Sequence, residues 1–200
     1  MKLYYTSGAC SLAPHILLEE SGLDFEAVAV DLRAKTLADG GDYLAINPKG
    51  AVPALDVGDG EVLTENAVLL QYIADCSGRD DLLPVSGLAR YRVLEWLGYI
   101  ATELHKGFGP LWNPTTPEEV KSATRDLLAK KFAYVEQRMA GDYLLGDNFT
   151  AADAYLFTIL RWTDLHAVDL SSFPGLTAYR QRVGARPAAA RALQAEGITA

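Results

Sequence analysis

Two hundred residues, half of them hydrophobic and 22 % charged, with a net formal charge of −8, can bury a core without disulfides or metals, as one ordinary domain or two small ones. That hydrophobicity argues against disorder. The acidic balance argues against a nucleic-acid or membrane-surface binder, and no apolar run reaches the roughly 18 residues of a bilayer span.

Residues 2–5, Lys2-Leu3-Tyr4-Tyr5, read as a strand beginning without a long apolar leader or a cleavage pattern, so a cytoplasmic location is expected. Residues 11–21 carry Leu12, Ile16 and Leu17 at helical spacing, with Pro14 in the first turn and Gly22 as the stop. A strand follows over 25–32, then a polar stretch through Asp42. Strands over 54–57 and 61–63 flank Gly58-Asp59-Gly60, a hairpin pattern. Residues 66–77 place Val68, Leu69, Tyr72 and Ile73 on one helical face. The order βαβ, connecting segment, ββα predicts an α/β sandwich with a mixed sheet over residues 1–78. Residues 79–86 read as a linker, after which strand patterns largely vanish. Helices are predicted over 86–106, 117–140, 150–167, 173–183 and 188–195, so residues 87–200 form an all-helical domain. Thr150-Ala151-Ala152-Asp153 has the form of a capping box and is assigned to folding.

The charge divides unevenly. Residues 1–78 hold four basic residues (Lys2, Arg33, Lys35, Lys49) and twelve acidic ones, whereas residues 79–200 hold fourteen of each. The whole −8 lies in the first part, either as a solubilising surface or as a background against which the few cations have tasks.

Cys10 is the first residue with chemistry to offer. It lies between a strand and a helix start, where the dipole and open N–H groups favour thiolate; a lone cysteine is otherwise a small buried hydrophobe. Cys76 falls inside a helix and reads as inert. There is no Cys-x-x-Cys, and a Cys10–Cys76 disulfide is not expected in a cytosolic chain. Val52-Pro53 precedes a strand: a cis bond would leave the Val52 main chain open to a ligand's backbone, while the alternative is a proline-started edge strand. Asn66 reads as an N-cap whose helix start would accept a carboxylate. Glu65 beside it could hold an ammonium group or simply complement the dipole. His105 and Lys106 end a helix, where cations have a structural reason to lie. His15, His105 and His166 have no metal-ligand spacing, so no metal is expected.

Several segments together resemble the glutathione transferases of the bacterial beta class. They are Met1-Lys2-Leu3-Tyr4-Tyr5, Gly8-Ala9-Cys10-Ser11-Leu12, Asn47-Pro48-Lys49-Gly50-Ala51-Val52-Pro53-Ala54-Leu55, Leu63-Thr64-Glu65, Ala101-Thr102-Glu103-Leu104-His105-Lys106-Gly107-Phe108 and Phe149-Thr150-Ala151-Ala152-Asp153-Ala154-Tyr155-Leu156-Phe157. The resemblance spans nearly the whole chain. It implies a thioredoxin-like α/β domain that binds glutathione, an all-α domain that shapes an electrophile pocket, and a homodimer. Glutathione is then a co-substrate and no cofactor is required. Cys10, Ser11 and His105 are the implied catalytic residues around the glutathione sulfur, where Cys10 can form a mixed disulfide. Val52, held by cis-Pro53, would pair with the cysteinyl backbone; Glu65 and Asn66 would take the γ-glutamyl ammonium and carboxylate; Lys35 would reach the glycine carboxylate, with Lys106 near the sulfur. Tyr5, Phe108, Leu111, Trp112 and Trp162 are candidate walls for a hydrophobic electrophile. Two positions depart from the family: Asn66 stands where serine or glycine is usual, and Gly98 stands where relatives often carry an asparagine that reaches glutathione on the other subunit. Conjugation, with possible peroxidase or disulfide side activity, is the expected reaction. The alternatives are a glutaredoxin-like oxidoreductase, a dehalogenase or lyase of aromatic catabolism, and a non-catalytic ligand binder.

Overall fold

A computed structural model describes residues 1–198; the last two residues of the predicted 87–200 helical region lie outside them. The chain forms two compact units, one of Met1–Asp80 joined by the segment from Ala185, the other of Asp81–Gly184. The division read from the linker groups everything after residue 86 together. Packing instead gives the last helix to the first unit.

The first unit is built on strands β1 (Lys2–Tyr5), β2 (Glu26–Asp31), β3 (Thr36–Leu37), β4 (Ala54–Gly58) and β5 (Glu61–Thr64), with helices α1 (Leu12–Ser21) and α2 (Asn66–Ser77). The sheet runs β3-β2-β1-β4-β5. β1 is parallel to β2 and antiparallel to β4, so the sheet is mixed, as the element order predicts. β3 was not legible. It is only two residues long, and its pairing with β2 depends on partners five and seven residues back in the chain. One face of the sheet buries Tyr4, Val30, Tyr43, Val52 and Ala54 as a small core, which fixes the loop before β4 from its Val52 side chain. α1 buries Leu12, Ile16, Leu17 and Leu18 and packs against α2 and against the last helix, α8 (Pro187–Ala195).

α8 is bound to α1 by charge as well as by apolar surface. Arg186 pairs with Glu20 at 2.6 Å, and Arg191 with Glu19 at 2.5 Å. Beyond it Glu196 is buried, with its carboxylate 2.8 Å from His15 Nδ1 and accepting the Gly8 N–H at 2.9 Å. The Ser7 hydroxyl donates to the Glu196 carbonyl at 2.7 Å. The turn that carries Cys10 is therefore braced by residues nearly 190 positions away.

The second unit contains α3 (Gly87–Tyr99), α4 (Gly109–Trp112), α5 (Glu118–Arg138), α6 (Ala151–Leu165) and α7 (Pro174–Gly184). The single helix predicted over 86–106 is interrupted. After Tyr99 the chain widens to π-helical turns over Ile100–His105, tightens to a 3₁₀ turn over Lys106–Phe108, and re-enters α4. Such turns mark local constraint, and α5 supplies it: Lys131 Nζ donates to the Glu103 carbonyl at 2.9 Å and pairs with its carboxylate, and Tyr99 donates to the Lys131 carbonyl. A Cβ on Gly107 would stand 2.9 Å from a Leu128 methyl, so glycine lets α5 approach. The capping box is present. The fully buried Asp153 carboxylate accepts from Thr150 N–H and hydroxyl, Leu144 N–H and Tyr179 hydroxyl, at 2.8 to 3.0 Å. Burial pushes that carboxyl upward while these donors pull it down. Likewise both carboxylate oxygens of Glu136 take N–H groups at the start of α7, from Gly175 and Leu176.

Candidate functional site

In the first unit the expected residues converge on three turns. Cys10 lies one residue before Ser11, the cap of α1, and its thiol donates to the Val52 carbonyl at 3.3 Å. Val52–Pro53 is the cis peptide that one of the two sequence readings anticipates. Asn66 Nδ2 donates to the Cys10 carbonyl at 3.0 Å, tying the start of α2 to the same turn. Ser11 is fully buried, and its hydroxyl bonds the N–H and carbonyl of Thr6, both at 3.2 Å, closing the β1–α1 turn. Lys35, held at a left-handed φ of 59°, donates from Nζ to the Gly50 carbonyl at 2.6 Å. Tyr43 and Asn47 both donate to the Ala51 carbonyl, so the 47–53 loop is fastened at the successive carbonyls of Gly50 and Ala51.

The helix start differs in one detail from its sequence reading. Glu65 is the cap, at φ 73°, and Asn66 is the first helical residue. The Asn66 side chain serves Cys10 instead of its own helix, and its buried Oδ1 has no hydrogen-bond partner among the described residues. The Glu65 carbonyl accepts from Val68 and Leu69. Its carboxylate meets Lys49 Nζ at 2.7 Å, and the same ammonium donates to Thr64. Lys49 is the residue that sequence reasoning passed over. It stands in the Asn47–Leu55 motif, but only the folded hairpin brings Glu65 back to it. Tyr5 lies half-buried, 5.5 Å from the His15 ring. Burial, then the Glu196 charge, pushes its phenol above the ordinary value, so it stays protonated at neutral pH. Cys76 is exposed on α2, and no disulfide joins it to Cys10.

In the second unit the π-helical turns bring His105 onto α6. Its Nδ1 shares a hydrogen bond of 2.6 Å with the Tyr155 hydroxyl, and its ring stands 5.0 Å from Trp162. Tyr155 is buried and was legible only as part of a motif. Phe108 and Trp162 pack at 5.6 Å, Trp112 and Trp162 at 5.3 Å. Phe108, Leu111 and Trp162 are buried, so of the four expected walls in this unit Trp112 is the exposed one, at 49 %. Lys106 is exposed. Two surface cavities lie elsewhere in this unit, one of about 540 Å³ beside Asp164, Asp169 and Arg180, the other of about 480 Å³ beside Trp96, Tyr99 and Tyr134. Neither is lined by an expected site residue. Among the described residues no cluster of histidine, cysteine and carboxylate is placed to hold a metal, and no helix is long and apolar enough to cross a membrane.

A mixed sheet with a thiol at the first helix start and a cis-proline loop facing it, followed by a helical unit, defines a protein of the glutathione transferase kind. The comparisons agree. Residues 8–76 match the family model for the glutathione S-transferase N-terminal domain, and residues 99–187 that for the C-terminal domain. The chain is 51 % identical to glutathione S-transferase GstA of Escherichia coli O157:H7 over 99 % of its own length and 100 % of that protein's. A sphingomonad glutathione S-transferase solved in complex with glutathione superposes with a TM-score of 0.94 at 44 % identity, and the bacterial beta class enzyme of Sphingomonas chungbukensis with 0.94 at 41 %, each covering 100 % of both chains. The chain belongs to the glutathione S-transferase family. It is an enzyme of that family with the thioredoxin-like and helical parts its sequence implies, and its likeness is to the bacterial beta class. The oxidoreductase, lyase and non-catalytic alternatives are not favoured.

Proposed function

We propose that this transferase binds glutathione on the first unit through the turns around Cys10 and conjugates its sulfur to hydrophobic electrophiles. The observation that carries the assignment is the Cys10 thiol 3.3 Å from the main chain of Val52, beside cis-Pro53. A peptide laid along Val52 would bring its own sulfur to that thiol. Glu65 matches the γ-glutamyl ammonium. Because Asn66 keeps its amide on Cys10, the N–H groups opening α2 are left as the partners of the γ-glutamyl carboxylate. Lys35, already on the Gly50 carbonyl, has further N–H groups for the glycine carboxylate. Ser11, with both roles of its hydroxyl taken by Thr6, positions the turn rather than touching sulfur.

An ordinary thiol titrates near 8.5, so hydrogen bonds to the thiolate lower its pKa and proximity does the rest. By family likeness His105 and Lys106 are proposed to serve the same step, and Trp112 the electrophile, with Phe108, Leu111 and Trp162 backing it. Family likeness supports a cytoplasmic, detoxifying homodimer, with glutathione as co-substrate and no added cofactor. In the side reaction, Cys10 thiolate attacks one sulfur of oxidised glutathione; one glutathione leaves as thiolate and the other stays on Sγ as a mixed disulfide. Cys10→Ala is expected to lose that adduct by mass spectrometry while keeping part of the conjugation rate. An undiminished glutathione adduct in the variant sinks the assignment.

A further inference from the structure

The end of α6 carries a histidine that the reaction above leaves unused. The His166 N–H donates to the Trp162 carbonyl at 3.1 Å, its carbonyl accepts from Arg125 Nε at 2.9 Å, and Ala167 after it takes a left-handed φ of 53°. These contacts hold the main chain that carries the imidazole at successive points. It stands nearly perpendicular to the Trp112 indole, centroids 4.2 Å apart and planes at 84°, with the Phe108 ring at 5.8 Å. Its Nε2 is buried and has no hydrogen-bond partner among the described residues. A buried ring nitrogen in that position is costly unless something receives it. An aromatic ring is a weak acceptor for N–H, and the indole is the richer and, by centroid distance, the nearer of the two rings. Burial first, then the charges of Arg125 and Lys121, hold the imidazole below the usual histidine range, which keeps it neutral at pH 7.

Trp112 needs such a partner. Half of it is in solvent, on a helix of four residues, and its other close ring is Trp162, also nearly perpendicular at 88°. A large exposed side chain changes rotamer within nanoseconds unless packing holds it.

We propose that His166 is a positioning residue for the electrophile: it pins the Trp112 indole so that the exposed part forms a preset flat wall for electrophiles that carry a ring. This role rests on the transferase reading above. A wall fixed in advance takes a flat ring with little further ordering, whereas a short alkyl electrophile gains little from it.

Steady-state kinetics of His166→Ala with an aryl halide and with a short alkyl epoxide test the role, beside acrylamide quenching of tryptophan fluorescence. Trp96 and Trp162 are buried, so the quencher reads Trp112, and Trp112→Phe identifies that fraction. The aryl halide KM is expected to rise about three- to tenfold, with kcat and the KM values for glutathione and the epoxide within about twofold, and with quenching increased. His166→Phe, which keeps a flat ring at that place, restores most of both. An equal loss for both electrophiles, or unchanged quenching, overturns the role. If His166→Ala does not fold, His166→Leu carries the same comparison, since it fills volume without a flat ring. A wild-type enzyme that turns over neither electrophile counts against the transferase reading, and the quenching comparison then decides the pinning alone.

Discussion

The two units hold their candidate residues in opposite ways. In the first, Cys10, Lys35 and Asn66 stand in turns or at a helix start, and each side chain reaches the main chain of another turn: Val52, Gly50 and Cys10 in that order. In the second, His105, Phe108, Trp112 and Trp162 lie along helices and meet one another ring to ring at 5.0 to 5.6 Å. The first arrangement presents directional polar groups suited to a peptide. The second presents apolar surface that discriminates by shape. Mutations should therefore divide as well, with glutathione recognition lost in the first unit and stability or electrophile choice lost in the second.

The largest expected effect is on the helical unit. Asp153→Ala strands two N–H groups and two hydroxyls in the core and should cost about 3–5 kcal/mol. Thermal unfolding measures it, and glutathione KM should be unchanged wherever the variant is folded; a selective rise in that KM would break the division. Next comes Asn66→Ala, which unties α2 from the Cys10 turn. It should raise glutathione KM by roughly tenfold and lower stability by about 1 kcal/mol, and a loss of stability alone would make the tie merely structural. Lys35→Ala should raise glutathione KM several-fold, about 1 kcal/mol for one half-buried charge-assisted contact, with kcat affected less. Unchanged KM would return Lys35 to the surface and leave the acidic half as a solubility feature.

Two smaller effects concern the helical unit. Because the folded-state pKa of His166 is depressed, the unfolded chain binds its proton more readily. Stability is then fully present above the free-histidine value near 6.5 and falls as pH drops below it. Denaturant titrations at pH 7 and 5.5 should show a drop that shrinks in His166→Phe; an identical drop would assign it to other groups. Gly98 is exposed and nothing lies within 4 Å of an added Cβ. Gly98→Ala should therefore stabilise the protein by about 0.5–1 kcal/mol through helix propensity alone, raising Tm by about 2 °C. Destabilisation would mean that glycine is required there for a reason outside this unit.

What was legible followed from local pattern. α1, α2 and the strands around Gly58-Asp59-Gly60 declare themselves through apolar period and glycine stops, and the capping box at Thr150 and Asp153 through spacing alone. β3 and the π-helical turns at Ile100–His105 were not legible, because each is imposed from elsewhere: β3 by β2, the wide turns by Lys131 on α5. The site shows the same limit. Cys10, Val52 and Glu65 stood out by their neighbours in the chain, but the pairing of Glu65 with Lys49, the bond from Asn66 to Cys10 and the burial of Phe108 and Trp162 involve partners that local sequence does not choose.

By itself, the sequence determined the class of the protein, the mixed sheet followed by helices, and the turn types that place a thiol at a helix start. These depend on residues within a few positions of one another. Only the tertiary structure decided that α8 returns to the first unit, that Glu196 closes on His15 and the turn before Cys10, and that Trp112 stands against His166. Such contacts are chosen by burial and charge between segments far apart in the chain, and no local period or motif records them.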